Sequence, residues 1–261
     1  MNVQAISDYL CSLFPRPFPE EGVRHGDPRM EVTSVLVCWM ANTRAIARAA
    51  EQGCNLIVCH EIPFFASRYE KDTGQYAQWK ANRLRKDLLD RHGIAIVQSH
   101  RTLDSFCVAN TFQERLGLGA PAVVEDMAGY DAVRLFEIEP QPVARYIEQW
   151  KQALGLDRVR TYVRDPGRIV RRAGLAWGGI GLYSNLSLIA RLADLQADVL
   201  IGGETEEYTI EFCVDAGMDF VELGHAASEA PGMTAAGRHL AGRFPGLKVA
   251  SFEEWPLMRV R

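Results

Sequence analysis

Short apolar, β-branched runs alternate with helical stripes along almost the whole chain. Ile6, Leu10, Leu13 and Phe14 recur at helical spacing and predict an opening helix over residues 2–13, ended by prolines that begin at Pro15. Gly22 to Pro28 reads as a loop, and Val32–Cys38 as a buried strand. A helix over Thr43–Gln52 stops at Gly53, and a strand then runs from Asn55 into His60. Residues 74–92 predict an amphipathic helix with Trp79, Leu84, Leu88 and Leu89 on its apolar side, followed by a strand from Ile94 to His100 and a helix over 105–116.

The stretch Gly117–Gly129 is short on periodicity and rich in small residues, which makes it the best boundary. It divides the chain into lobes of residues 1–125 and 126–261. In the second lobe, strands are predicted at Val133–Ile138, 158–163, Arg172–Gly178, Asp198–Ile201, Asp219 to His225 and Val249–Phe252. Helices are predicted at Val143–Leu154, Leu186–Leu195, Tyr208–Ala216 and Pro231–Phe244, with Pro231 in a first turn where its missing N–H does no harm. The order helix, glycine, two residues, strand occurs at both Gly53 and Gly217, which suggests two related halves. Such alternation predicts an α/β fold of two similar lobes, with largely parallel sheets flanked by helices.

Three of the predicted strands run directly into a histidine: His60, His100 and His225. Each histidine is followed by an acid: Glu61 at once, Asp104 and Glu229 four residues on. The C-terminal ends of parallel strands are where ligands bind in open α/β sheets, so strands lying side by side would gather imidazoles and carboxylates in one crevice. Imidazole nitrogen and carboxylate oxygen, with no paired cysteines, suit zinc, manganese, iron or a similar divalent ion. Three of each are enough for two ions. Adjacent ligands such as His60 and Glu61 are workable if the strand ends there and its alternation breaks.

Composition narrows the classes. The 261 residues are 48% hydrophobic and 24% charged, with formal net charge −4, as in an ordinary globular protein. Arginine is dense from Arg158 to Arg172, but no basic face of the kind that binds nucleic acid emerges, and the stretch reads as a solvated edge. No run approaches the ~20 apolar residues that span a bilayer, and the first residues lack the order of a signal peptide. Six cysteines without a Cys-x-x-Cys pair read as reduced, mostly buried thiols of a cytoplasmic protein. Strand alternation points Cys59 to the face opposite His60. Gly178-Gly179-Ile180-Gly181 reads as turn chemistry before a phosphate cradle.

The run Gly217-Met-Asp-Phe-Val-Glu-Leu-Gly-His225-Ala-Ala-Ser-Glu229-Ala-Pro-Gly232, after Asp198-Val-Leu-Ile-Gly-Gly-Glu204, strongly resembles the Nif-three-like dinuclear metal centre hexameric proteins, also called type 2 GTP cyclohydrolase I. Gly53-Cys-Asn-Leu-Ile-Val-Cys-His60-Glu61 and His100-Arg-Thr-Leu-Asp104 are similar to two further segments of that family. The resemblance covers almost the whole chain. It implies metal ligands His60, Glu61, Asp104, His225 and Glu229, with His100 as a nearby catalytic or substrate-facing group. It further implies two divalent ions per subunit in a cleft between the lobes, and a homohexamer built as a trimer of dimers. The activity it implies is a metal-dependent hydrolase acting on a nucleotide or another small phosphorylated or heterocyclic substrate. The alternative is a non-catalytic metal-binding ring that serves as scaffold or regulator.

Three positions depart from the family pattern. Glu61 replaces the second of two adjacent histidines, which should favour harder ions such as manganese or iron. Glu206 and Glu207 stand where histidines are common, and Trp39-Met40 replaces the usual Leu-Asp at the end of the first strand.

Overall fold

Two asparagines open the first two helices. The Asn2 side chain accepts the Ala5 N–H ahead of α1 (Val3–Cys11), and that of Asn42 accepts the Arg44 and Ala45 N–H groups ahead of α2 (Thr43–Glu51). Each side chain satisfies donors that a helix start leaves open. The structure, a computed structural model, describes residues 1–16, 18–67 and 74–253. Strands β1 (Gly22–His25), β2 (Ser34–Cys38), β3 (Leu56–Cys59) and β4 (Ala95–Gln98) belong to the first part of the chain. Helices α3 (Lys80–His92), α4 (Arg101–Leu103) and α5 (Ala109–Arg115) follow in their places. Then come β5 (Val123–Met127), β6 (Tyr130–Pro142), α6 (Val143–Leu154), β7 (Arg160–Tyr162), β8 (Ile169–Ala176) and α7 (Leu186–Asp194). The chain goes on through β9 (Val199–Gly202), α8 (Glu207–Ala216), β10 (Asp219–Glu222), α9 (His225–Arg243) and β11 (Lys248–Phe252).

The described residues form two compact units, each built on one sheet. One unit comprises Met1–Cys107 and Met233–Glu253, the other Val108–Gly232. The sheet of the first unit has the order β1-β4-β3-β2-β11. Four of its strands are parallel; β1 adds antiparallel to β4 at the edge. Every residue of β2, β3 and β4 is buried, as expected of parallel strands covered on both faces. One face carries Leu36, Ile57, Cys59 and Ile96 against Ala45, Ile46 and Ala49 of α2 and Leu89 of α3. The last strand among the described residues, β11, lies in this sheet beside β2.

The sheet of the second unit has the order β5-β6-β8-β9-β10-β7. Only β8, β9 and β10 run parallel; β5, β6 and β7 are antiparallel to their neighbours. The fold is therefore mixed α/β, with two sheets flanked by helices. The first sheet is largely parallel, as the alternation predicts, and the second is mixed. Part of its mixture comes from a hairpin whose first strand and turn lie in the stretch that is short on periodicity, and β7 adds antiparallel at the other edge. Met127 pairs with Tyr130, so β5 and β6 are joined by Ala128 and Gly129 alone, with φ of 58° and 87°. Positive φ at both central residues marks a tight hairpin turn whose twist matches its strands.

The arginine-dense stretch is a paired edge. Arg160 meets Glu222, Arg168 meets Asp198 and Asp219, and Arg172 meets Glu137.

Helix α3 inverts part of its predicted face. Leu89 is buried, but Trp79 just before the helix and Leu84 within it are exposed, while Asn82 and Arg85 are buried. The two polar side chains hold the turn that follows His60. Asn82 accepts the Phe65 N–H and donates to the Phe65 and Tyr76 carbonyls, each at 2.8 Å. Arg85 donates to the Pro63 carbonyl at 2.6 Å, and its guanidinium lies 4.3 Å from the centroid of the Phe65 ring. Burial of so many polar groups is favourable only while all are paired. Replacing Asn82 by Ala should lower stability by about 2–3 kcal/mol in chemical denaturation, because it leaves backbone groups of Phe65 and Tyr76 without partners. An unchanged denaturation midpoint would contradict this clamp.

Candidate metal centre

Register places the first two histidines together. Cys59 of β3 pairs with Gln98 of β4, so His60-Glu61 and Ser99-His100 leave neighbouring parallel strands at the same sheet edge. The strand ends where adjacent ligands need it to. The N–H groups of His60 and Glu61 both bond to the Trp39 carbonyl, at 3.0 and 2.9 Å, which breaks the alternation of β3. The ring centroids of His60 and His100 are 4.5 Å apart. His60 Nε2 lies 3.4 Å from Asp104 Oδ1, and His100 Nε2 lies 3.5 Å from Glu61 Oε1. His60 and Asp104 are buried; Glu61 and His100 are half-buried.

These groups can hold a metal ion. His60, Glu61 and His100 each offer one ligand atom, and the three atoms lie within 4.8 Å of one another. The donor set is nitrogen and oxygen only, as suits a borderline or hard divalent ion. Cys59 does not join it. Its side chain is in the core on the α2 side, and burial pushes its thiol up to about 12, so it stays protonated. Burial and the Asp104 charge push Cys107 up to about 12 as well.

Burial and the neighbouring His60 both lower the pKa of His100. The hydrogen bond to Glu61 and the charges of Asp104 and Glu61 outweigh them and leave it raised. A residue that sequence reading missed sets the backbone here. Glu21, just ahead of β1, accepts the N–H groups of His100 and Thr102, both at 2.9 Å. Its carboxylate thus caps the start of the helical segment that carries Asp104. The stretch from Gly22 reads as loop, so nothing in the sequence brings Glu21 beside His100; β1 does so by pairing Gly22 with Gln98. Asp104 itself opens a π-helical stretch, Asp104–Val108, a feature often found at functional sites.

The third histidine follows β10, which is a strand of the second unit's sheet and not, as three strands side by side would require, of the sheet that holds β3 and β4. His225 opens α9 rather than closing a strand. The helix begins six residues before the predicted Pro231, since the Ser228 N–H already bonds to the Gly224 carbonyl at 3.0 Å. Pro231 therefore sits inside the helix, where it removes one backbone hydrogen bond. The early start puts His225 and Glu229 one helical turn apart on one face. His225 Nε2 lies 3.1 Å from Glu229 Oε2, and its Nδ1 lies 3.3 Å from Glu204 Oε2. Glu204, at the end of the turn after β9, is the second acid that sequence reading passed over.

The glycine turn makes room for this cluster. Gly178 has φ +54°, and a Cβ there would come within 1.8 Å of Glu229 Oε1. Its N–H bonds to Ser228 Oγ at 2.9 Å, and Ser228 Oγ donates to the His225 carbonyl at 2.7 Å. The glycines are turn chemistry, as expected, and the space they leave is taken by a carboxylate. Glu204 and Glu229 thus each meet a different nitrogen of the one His225 ring.

A family model described as Duf34/NIF3 (NGG1p interacting factor 3) matches residues 1–255. The chain belongs to the Duf34/NIF3 family. A NIF3 relative named "GTP cyclohydrolase 1 type 2 homolog", from Lactococcus lactis subsp. lactis strain IL1403, is 27% identical over 210 residues, covering 78% of this chain and 76% of that protein. Among solved structures, Staphylococcus aureus protein SA1388 superposes with TM-score 0.81 at 15% identity, covering 100% of this chain and 99% of that one. A Bacillus cereus protein related to NIF3 gives TM-score 0.80 at 14% identity with the same coverage. At such identities the structures speak for the NIF3 fold alone. Among the described residues, no helix is long and apolar enough to cross a membrane.

Proposed function

We propose that this NIF3 protein is a dinuclear metal-dependent hydrolase. Its ligands are His60, Glu61, Asp104, His225 and Glu229, and it holds two divalent ions per chain. The observation that carries the reading is the convergence within 4.8 Å of donor atoms from two of these ligands, His60 and Glu61, and from the neighbouring His100, at the strand ends where ligands bind in such sheets. Bound ions of this class lower the pKa of water toward neutrality and polarise a substrate oxygen.

The chain's own groups do the rest. His100 faces Glu61 through Nε2 and is the proton carrier. Glu21 fixes the His100 backbone, and the Asn82–Arg85 clamp fixes the turn after Glu61, so the acid and imidazoles are held in place before a substrate arrives. The substrate is a nucleotide or another small phosphorylated or heterocyclic molecule, and the working form is a homohexamer built as a trimer of dimers.

Metal analysis of gently purified protein, coupled to a turnover screen on GTP and generic phosphoesters, tests this reading. The expected result is co-purifying divalent metal and a hydrolysis that chelation abolishes and metal restores. Metal without any turnover would favour a scaffold. Protein that neither carries metal as isolated nor takes it up on titration would end both readings.

Glu61→His gives a sharper check. Imidazole in place of carboxylate should move metal preference toward zinc, by about tenfold in the zinc-to-manganese affinity ratio. A ratio unchanged in competition titrations would remove Glu61 from the ligand set.

A further inference from the structure

An open cavity lies in the unit that carries His225. It begins one residue beyond Glu204 and encloses about 660 Å³ between β7, β10 and the start of α8. That volume suits a small organic ligand. Phe220 and Glu222 are its buried lining; Tyr208, at 70% exposure, and the exposed Glu207 and Glu211 lie at its rim. Glu206 also lines it, so four carboxylates face one guanidinium, that of Arg160. Arg160 is already engaged, with Nη1 3.2 and 3.1 Å from the two Glu222 oxygens. Among the described residues of the lining, no other cation offsets the remaining acids.

Two properties follow. Carboxylates crowded in a concave site raise the local concentration of cations and repel anions. A phenyl ring in the base and a tyrosine at the rim favour a flat body that can stack, and carboxylates prefer a planar fork of N–H donors over a point charge. We propose that this cavity binds a small planar organic cation of the amidinium or guanidinium class, with its N–H edge on the carboxylates and its body against Phe220 and Tyr208. No proposed metal ligand takes part, so the site stands or falls independently of the metal centre.

Benzamidine is the probe, titrated into the full-length protein by calorimetry or NMR. Benzoate has the same shape with the opposite charge. Cyclohexylamine has the same charge without the planar fork. Saturable benzamidine binding, at least about tenfold tighter than either comparator, is expected, as is a roughly tenfold loss in the double variant Glu207→Gln, Glu211→Gln with metal content unchanged. Tyr208→Ala, at a largely exposed position, should weaken benzamidine several-fold and serves if the double variant fails to fold. Absence of saturable benzamidine binding would overturn the proposal. So would benzoate or cyclohexylamine binding as tightly, or affinity untouched in the variants that fold.

Discussion

His60→Ala should leave a folded protein whose affinity for divalent metal is at least about 100-fold lower. Replacing partners that merely orient a ligand costs roughly 10–100-fold, and His60 is proposed to contact the ion itself. Its position is inflexible. The ring is fully buried, its backbone N–H is tied to the Trp39 carbonyl, and its backbone carbonyl accepts from Gln98 Nε2 at 3.3 Å. The adjacent Cys59→Ala is the matched control, because that thiol faces the core and stays protonated. Elemental analysis alongside circular dichroism decides the matter. Equal metal content in His60→Ala and wild type, with folding intact, would refute the assignment.

Gly178→Ala should be nearly as damaging from the other unit, by a different route. The added Cβ would lie 1.8 Å from Glu229 Oε1 and 3.2 Å from His225 Nε2, at a backbone φ of +54° that L residues disfavour. Backbone strain and overpacking each cost about 1–3 kcal/mol. A loss of about 2–4 kcal/mol is expected, seen as a fall of roughly 5–15 °C in Tm for a chain of this size. Escape is restricted, because the Gly178 N–H is held by Ser228 and its carbonyl accepts the Glu204 N–H at 2.9 Å. The Glu229 carboxylate must move instead, so metal content should fall with Tm. A variant with wild-type Tm and wild-type metal would show that the turn has slack the structure does not display.

The histidine positions were legible because strand-end polarity is a local signal. An apolar run stops, an imidazole follows, and the sheet edge does the gathering. The partners of those histidines were less legible, because they arrive through pairing. Glu21 reaches His100 only through β1, four residues in which Val23 is the sole strong strand former. Glu204 reaches His225 through the packing of the Gly202–Gly203 turn on Gly178. The β5–β6 hairpin was hidden because Ala128-Gly129 lacks the asparagine or aspartate that usually marks such turns. Pro231 misled because proline suits a helix start far better than a helix interior, and only the Ser228 N–H bond to Gly224 shows that the helix is already under way. Asn82 and Arg85 misled because polar residues on an amphipathic helix are expected outside, whereas these are inside for the sake of a loop.

The Trp39 carbonyl carries a consequence for comparing relatives. It receives the N–H groups of both His60 and Glu61, so position 39 serves the site through an atom that every amino acid possesses. The departure from the family at Trp39 leaves this main-chain support in place. A relative with another residue at this position would keep the same main-chain acceptor. A search that scores residue identity alone would discard such sequences as degenerate, although the support beneath their ligands is unaltered.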